Sequence, residues 1–208
     1  MGLFDRLVGN LVDNGVEALK RTIAGAFSDA AAEAENAVQK AVGTHTERFT
    51  FAKLPDTLEE LKALPEAKMD TAYKTAALTV VALAVYTRDQ QVGREMLDYL
   101  NGPAEFNEYD RQFLAEHLLA QPYVAFSYFR GAAPENNYTP GLPYVLEIKS
   151  SANSFAQENW AYLYLTSGGA DTDRQVMVRK KPSEGKWYYW EQALLSGVRT
   201  PVAQNPWA

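Results

Sequence analysis

A long helical pattern at the start of the chain constrains the fold more than any other feature of the sequence. Apolar residues recur there at spacings of three and four, which places them on one face of an α-helix. This N-terminal stripe consists of Leu3, Phe4, Leu7, Val8, Leu11, Val12, Val16, Leu19, Ile23 and Phe27. Such a stripe must be buried against its own domain, a second copy, a helical partner or a membrane surface.

The helical pattern continues beyond the stripe to about Val42. From Ser28 onward the segment is rich in alanine, which has the highest intrinsic helix propensity, and Gly43 is a natural helix stop. A single helix over residues 2–42 would be about 60 Å long at a rise of about 1.5 Å per residue, and the pattern leaves open whether there is one helix or two. We therefore predict that residues 1–43 form an attachment or assembly element, followed by a second domain over residues 48–208.

The rest of the chain predicts a helical cluster followed by an antiparallel sheet. The helix predicted over about 71–86, capped by Asp70, is apolar on nearly every side and therefore belongs at the centre of a core. Alternation predicts a four-stranded meander over about 144–193, whereas residues 48–53 indicate a short strand or an extended lead-in. The predicted fold class is α+β, with helices over about 55–121, a loop over 122–143, the sheet and a C-terminal tail.

The composition excludes several classes of function. A net charge of −6 argues against a nucleic-acid binder, and the absence of cysteine excludes disulfides, thiolate metal sites and cysteine nucleophiles. The N-terminus is not a secretory signal, and the longest apolar run, from Ala76 to Tyr86, is too short to span a bilayer. We expect a cytoplasmic protein, with association to a membrane surface as the alternative.

No motif in the sequence indicates catalysis or a cofactor. His45 and His117 stand outside any His-Glu-x-x-His pattern, and the chain has no Gly-x-Ser-x-Gly elbow, P-loop or dinucleotide glycine pattern. We therefore predict no catalytic residue, no metal site and no cofactor. An enzyme whose active site follows no known motif is the remaining alternative.

The loop over 122–143 contains the best candidates for a ligand site. Prolines and glycines restrict its conformation, and polar or aromatic side chains lie close together in its sequence. The candidates are Tyr128, Arg130, Glu135, Asn136, Asn137 and Tyr138. Arg130 has the geometry to bind a carboxylate or phosphate in a bidentate manner. The alternative is a structural loop between the helices and the sheet, in which Arg130 pairs with Glu135.

The aromatic strands allow a second interpretation as a ligand-binding face. Trp160, Tyr162 and Tyr164 alternate with apolar residues, so they share one face of a strand that either stacks on a sugar or other ligand or packs on the helices. The run 179–181, Arg-Lys-Lys, is either an anion contact or a solvated strand end that prevents edge pairing.

The region from Phe49 to the end resembles a family of uncharacterised bacterial proteins that is described as a domain of unknown function. The resemblance is carried by four segments and by the C-terminal residues. They are 54–65, LPDTLEELKALP; 74–80, KTAALTV; 126–140, from Phe-Ser-Tyr-Phe-Arg-Gly-Ala to Asn-Asn-Tyr-Thr-Pro; 190–192, Trp-Glu-Gln; and 206–208, Pro-Trp-Ala. The resemblance implies no activity, because the family has none assigned.

The first seven residues, Met-Gly-Leu-Phe-Asp-Arg-Leu, resemble a second group. The phage-shock and vesicle-inducing membrane-remodelling proteins open in this way, with an amphipathic helix that binds membranes. Those proteins continue as long helical hairpins, whereas this chain has Pro55, Pro65 and Pro103 and a second half rich in strands. The resemblance therefore implies an attachment helix and nothing about the rest of the chain.

These observations favour a non-catalytic scaffold or assembly protein. In this hypothesis the N-terminal stripe binds a second copy of the chain or a helical protein partner, and no nucleic acid is involved. The first alternative is a peripheral membrane protein that uses the same helix. The second is a domain that binds a small ligand or a peptide through the 123–143 loop and the aromatic sheet.

Overall fold

The computed structural model describes residues 44–104 and 106–207, and the N-terminal stripe lies outside these residues. The described chain is α+β, as predicted. Its helices are α1 (Leu58–Lys62), α2 (Ala72–Tyr86), α3 (Gln90–Asn101), α4 (Glu108–Ala120) and α5 (Tyr123–Phe126), with short 3-10 helices at Pro65–Lys68, Pro134–Asn136 and Val202–Gln204. Its strands are β1 (His45–Phe51), β2 (Tyr144–Ser150), β3 (Trp160–Leu165), β4 (Arg174–Lys181) and β5 (Lys186–Gln192).

The sheet has five antiparallel strands in the order β1-β2-β3-β4-β5, so the predicted count of four is wrong. The additional strand is β1, in which Phe49 lies opposite Leu146 and Phe51 lies opposite Tyr144. The alternation of residues 48–53 indicated an extended segment. It did not reveal the pairing, because the partner strand follows the whole helical cluster.

Helix α2 lies at the centre of the core, as its apolar composition predicts. Every residue of α2 except Lys74 is buried, and the helix contacts all five strands on one side and α3 on the other. The inner face of the sheet supplies the opposing apolar surface. This inner face consists of Phe49, Phe51, Leu146, Ile148, Ala161, Leu163, Leu165, Val176, Val178, Trp187 and Tyr189.

Two hydrogen bonds fix the edge strand β5 on the helical layer. The Thr75 hydroxyl of α2 donates to the Trp187 carbonyl at 2.8 Å, and the Trp187 amide donates to the Met69 carbonyl at 2.8 Å. Both main-chain groups of an edge residue are therefore satisfied by α2 and by the segment that precedes it, and β5 offers fewer free groups for pairing with another chain at this point.

Helix caps follow the sequence rules, with one correction. Thr57 caps α1 by accepting from the Glu60 amide, and Asn107 caps α4 in the same way from Asp110. The predicted cap of α2, Asp70, is wrong: the adjacent Thr71 accepts from the Lys74 amide. Asp70 instead accepts a hydrogen bond from the Lys74 side chain at 2.6 Å.

Candidate functional site

The sheet has an outer face that turns away from α2, and part of this face is aromatic. Trp160, Tyr162 and Tyr164 of β3 lie on it beside Met177 and Arg179 of β4, because side chains alternate across a strand. The inner residues of the same two strands are fully buried. The β3 aromatics therefore do not pack on the helices, whereas Trp187 and Tyr189 of β5 pack inward.

Trp190 of β5 also lies on this outer face, at a β-bulge. In the pairing of β4 with β5, Val178 lies opposite Tyr189 and Met177 lies opposite Glu191, which leaves Trp190 as the extra residue. Its side chain is 42 % exposed. A large apolar ring therefore lies at the surface, next to Arg179.

Trp160, Arg179 and Trp190 form a compact group that we call the Trp–Arg cluster. The Arg179 guanidinium carbon lies 5.0 Å from the centre of the Trp160 ring and 5.3 Å from that of Trp190. The two indole rings meet edge to face with centroids 5.2 Å apart. Cation–π contacts hold the guanidinium plane, and in the described part of the chain no carboxylate pairs with Arg179.

A cleft of about 370 Å³ adjoins the cluster, between the end of the β4–β5 hairpin and the turn that follows α3. Lys180 and Lys181 line it, with the Lys180 ammonium 5.9 Å from the centre of the Trp187 ring. Lys181 forms an ion pair with Glu184, which also accepts a hydrogen bond from the Tyr188 hydroxyl. Burial and the Glu184 carboxylate raise the pKa of Tyr188 to about 12, so its hydroxyl remains a donor at neutral pH.

Two of the predicted loop residues serve the structure of the loop itself. The Tyr128 hydroxyl is buried and donates to the Leu194 carbonyl at 2.5 Å. The Asn136 side chain accepts from the Ala133 amide at 2.9 Å and donates to the Gly131 carbonyl at 2.7 Å. Both side chains connect segments of the protein, and neither leaves its hydrogen-bonding groups free for a ligand.

Two other predicted residues, Asn137 and Tyr138, line a separate surface that we call the tyrosine groove. It has a volume of about 390 Å³. Its lining consists of Pro122, Tyr123, Phe126, Asn137, Tyr138, Thr139, Pro140, Tyr144, Pro201 and Gln204. The lining is rich in aromatic rings and prolines and contains no charged side chain.

Contacts with Tyr123, Arg199 and Gly169 hold the Tyr138 ring in place at the tyrosine groove. The rings of Tyr123 and Tyr138 stack with centroids 5.2 Å apart and planes 17° apart. The Tyr138 hydroxyl donates to the Arg199 carbonyl at 2.6 Å and lies against Gly169, where a Cβ would come within 1.8 Å of the hydroxyl oxygen. Burial and the neighbouring Tyr123 raise the pKa of Tyr138, which keeps this donor protonated.

The remaining predicted loop residues, Arg130 and Glu135, are exposed. Neither forms an ion pair with the other, and Arg130 makes no side-chain hydrogen bond within the described residues. The structure therefore brings only Asn137 and Tyr138 of the six candidates into one groove. Sequence reasoning missed Tyr123, Tyr144 and Pro201, because nothing local connects residues so far apart in the chain.

Both histidines contact other residues of the protein. His45 packs edge to face on Tyr73, and His117 shares a hydrogen bond with the Phe113 carbonyl at 2.9 Å. Across residues 44–104 and 106–207 no group of three His, Cys, Asp or Glu side chains is arranged to hold a metal ion. Within the same residues, no helix is both long enough and apolar enough to cross a membrane.

Comparison with known proteins places the chain in a family. No curated protein and no solved structure matches it. The sequence model of one family, described as a domain of unknown function (DUF6935), matches residues 53–202. This match begins after β1 and includes α1 to α5, the strands β2 to β5, the cleft beside the Trp–Arg cluster and the lining of the tyrosine groove except Gln204. It confirms the resemblance that the sequence suggested, and the chain belongs to the DUF6935 family.

Proposed function

We propose that this protein is a non-catalytic scaffold that associates with a second copy or with a helical partner through residues 2–42. One observation carries the proposal: the apolar stripe of the N-terminal segment precedes a unit that supplies its own core. The ten apolar residues of the stripe follow helical spacing over 25 residues of sequence. Burial of such a stripe stabilises an association, because apolar area contributes about 25 cal/mol per Å² removed from water.

The packing of the described residues supports a role for the N-terminal stripe outside the core of residues 44–207. Helix α2 fills the inner face of the sheet, and α3 covers the other side of α2 with Met96, Leu97 and Leu100. The strands and helices of residues 44–207 thus bury their apolar faces in one another. An additional amphipathic helix is not required to complete this core, which favours a role for the stripe in association.

Light scattering of the full chain and of a version that starts at Thr44 tests the proposal. We expect an assembly for the full chain and a folded monomer for the truncated one. The double substitution L7E and L11E should dissociate the assembly, because it introduces two charges into the buried stripe. The matched control, R6Q and K20Q, makes the net charge more negative by the same two units on the opposite face and should leave the mass unchanged.

The outcomes distinguish the proposal from its alternatives. If the full chain and the truncated chain are both folded monomers, self-association is wrong. Flotation with vesicles that contain an anionic phospholipid then tests the membrane alternative, in which the full chain floats and the L7E and L11E variant does not. If the truncated chain is unfolded, the N-terminal segment is part of the core and the scaffold proposal fails.

A second candidate function is the binding of a small anionic ligand at the Trp–Arg cluster. Its support is the position of Arg179, which is exposed, oriented by two indole rings and without a carboxylate partner among the described residues, in a chain of net charge −6. The edge of a stacked guanidinium still offers N–H donors in the fork that matches carboxylates and phosphates.

Titration with inorganic pyrophosphate, followed by the indole signals of Trp160 and Trp190 in NMR spectra, tests this candidate. We expect saturable shifts in the wild type and a loss of binding by at least about tenfold in R179K, because lysine keeps the charge but not the planar fork. R94A changes an exposed arginine of α3 and should bind like the wild type. Equal binding by R179K would contradict the assignment.

A further inference from the structure

We propose that the tyrosine groove is a binding site for a proline-rich peptide in the polyproline II conformation. The proposal concerns a surface that neither the N-terminal stripe nor the Trp–Arg cluster includes. It starts from the chemistry of the lining. Tyr123, Phe126, Tyr138 and Tyr144 provide aromatic rings, while Pro122, Pro140 and Pro201 provide rigid apolar edges. Its volume of about 390 Å³ falls within the range of ligand clefts, about 300–1,000 Å³.

The hydrogen-bonding groups at the groove specify the class of ligand. Within the described residues, the hydroxyls of Tyr123 and Tyr144 and the side-chain amides of Asn137 and Gln204 form no hydrogen bond. Neither tyrosine oxygen is among the buried atoms without a partner, so both hydroxyls reach solvent. The groove therefore presents four side chains that can donate a hydrogen bond to a ligand.

A polyproline II segment is complementary to this set of donors. Proline has no N–H, and the polyproline II helix has no internal hydrogen bonds, so its carbonyl oxygens are all available as acceptors. Its pyrrolidine rings pack on aromatic side chains, which is how proline-rich segments are bound in aromatic grooves. Because the conformation exists before binding, little ordering entropy is lost.

Other peptide conformations fit the groove less well. An added β-strand needs the free main-chain groups of a sheet edge, whereas the only strand residue in the lining is Tyr144, which belongs to the internal strand β2. A docked α-helix satisfies its own backbone, so the four donors would gain no partner from its main chain. An oligosaccharide supplies many hydroxyl donors, whereas the lining contains no carboxylate to accept them.

The groove is organised before any ligand arrives. Asn137 and Tyr138 both have a φ of 54°, a left-handed conformation that is rare for a bulky residue. The Tyr138 amide donates to the Ala133 carbonyl at 2.9 Å and its hydroxyl donates to the Arg199 carbonyl, so both ends of the residue are fixed. This arrangement holds the Tyr138 ring against Tyr123 and defines one wall of the groove.

NMR titration of the full chain with decaproline tests the proposal. We expect saturable shifts in residues 122–144 and 201–204 at peptide concentrations up to about 5 mM, because weak peptide complexes have dissociation constants near the millimolar range. A Gly-Ser peptide of equal length should cause no such shifts. Cellotriose, a neutral oligosaccharide, serves as the competing class of ligand.

Three substitutions remove single donors and preserve the fold. Y144F deletes a hydroxyl that has no partner in the protein, Q204A deletes an exposed amide, and N137G deletes an amide while retaining a residue that tolerates positive φ. Each should weaken decaproline binding by about two- to tenfold, the range of one hydrogen bond. Y109F, a tyrosine that is 76 % exposed and outside the groove, is the matched control and should bind normally.

Several results would overturn the proposal. These are the absence of saturable shifts, shifts centred on the Trp–Arg cluster, equal binding of the Gly-Ser peptide, or stronger binding of cellotriose than of decaproline. Decaproline binding that all three variants retain in full would also overturn it, because the three substituted donors would then have no role.

Discussion

At the scale of single residues, buried tyrosine hydroxyls connect the loop over 122–143 to the C-terminal tail. Tyr128 donates to Leu194 and Tyr138 donates to Arg199, each to a carbonyl more than 60 residues away in sequence. Burial raises the pKa of Tyr128 well above its ordinary value, and the same cause raises the pKa of Tyr189. The Tyr128 and Tyr138 hydroxyls act as neutral donors in the folded protein.

The substitution Y128F should lower the free energy of unfolding at neutral pH by about 1–2 kcal/mol, because it removes a hydrogen bond and leaves the buried Leu194 carbonyl without its donor. Urea denaturation at pH 7 measures the change. The control Y109F removes a hydroxyl from an exposed ring and should leave the stability unchanged. An unchanged stability in Y128F would show that the short contact to Leu194 contributes nothing.

Alkaline pH should destabilise the protein through the ionisation of Tyr128, whose pKa is raised by burial. A tyrosine whose pKa is raised in the folded state contributes stability that is fully present below the unfolded pKa of about 10 and is lost as the pH rises above it. The unfolding free energy of the wild type should therefore fall more steeply above pH 10 than that of Y128F, by up to about 1.4 kcal/mol per pH unit. Parallel curves for the two proteins would contradict this expectation.

At the scale of elements, the close approach of α2 and α3 depends on Gly93. A Cβ at this position would lie 2.3 Å from the Cα of Tyr86. The contact involves main-chain atoms, so a rotamer change does not relieve it. Two helices in the centre of the domain thus pack through a glycine that intrinsic helix propensity disfavours.

The substitution G93A should destabilise the domain by about 1–3 kcal/mol, although alanine is the better helix former. Thermal unfolding followed by circular dichroism measures the effect. R94A replaces the next residue, which is exposed, and should stay within about 0.5 kcal/mol of the wild type. A G93A protein more stable than the wild type would show that α3 moves away from α2 without cost.

The sequence predicted the elements that depend on local signals and missed those that depend on contacts between distant residues. The helical cluster over about 55–121 and the strands β2 to β5 follow from spacing, caps and alternation, which are local signals. The pairing of β1 and the joining of Tyr138 with Tyr123 and Pro201 depend on contacts between distant residues, and no pattern within a window of the sequence carries that information. The cap of α2 differed by one residue because Asp70 and Thr71 are both good capping residues.

At the scale of the whole molecule, the strands lie in the sheet in the same order as in the sequence, but the connection between β1 and β2 is long. Strands β2 to β5 are joined by short connections, whereas β1 is separated from β2 by the whole helical cluster. The pair formed by Arg48 and Glu147 spans 99 residues. Within residues 44–104 and 106–207, β1 is also an edge strand, with β2 as its one neighbour in the sheet.

Amides of β1 should exchange with deuterium through openings of lower free energy than amides of α2, because an edge strand separates from one neighbour whereas α2 is buried on all sides. Native-state hydrogen exchange followed by NMR measures both sets. Amides of the internal strand β3 are the control and should resemble α2. Equal protection of β1 and α2 would show that the sheet opens only as one cooperative unit.

The order of the strands also delays the pairing of β1 with β2 during synthesis. At a translation rate of about 5–20 residues per second, β1 leaves the ribosome about 5–20 s before its partner strand exists. During that time Phe49 and Phe51 have no sheet to join, while Arg48 and Thr50 keep the other face of the segment polar. The nascent chain therefore carries an unpaired apolar strand between the N-terminal stripe and the emerging helices, and this segment remains accessible to a ribosome-associated chaperone until β2 has been made.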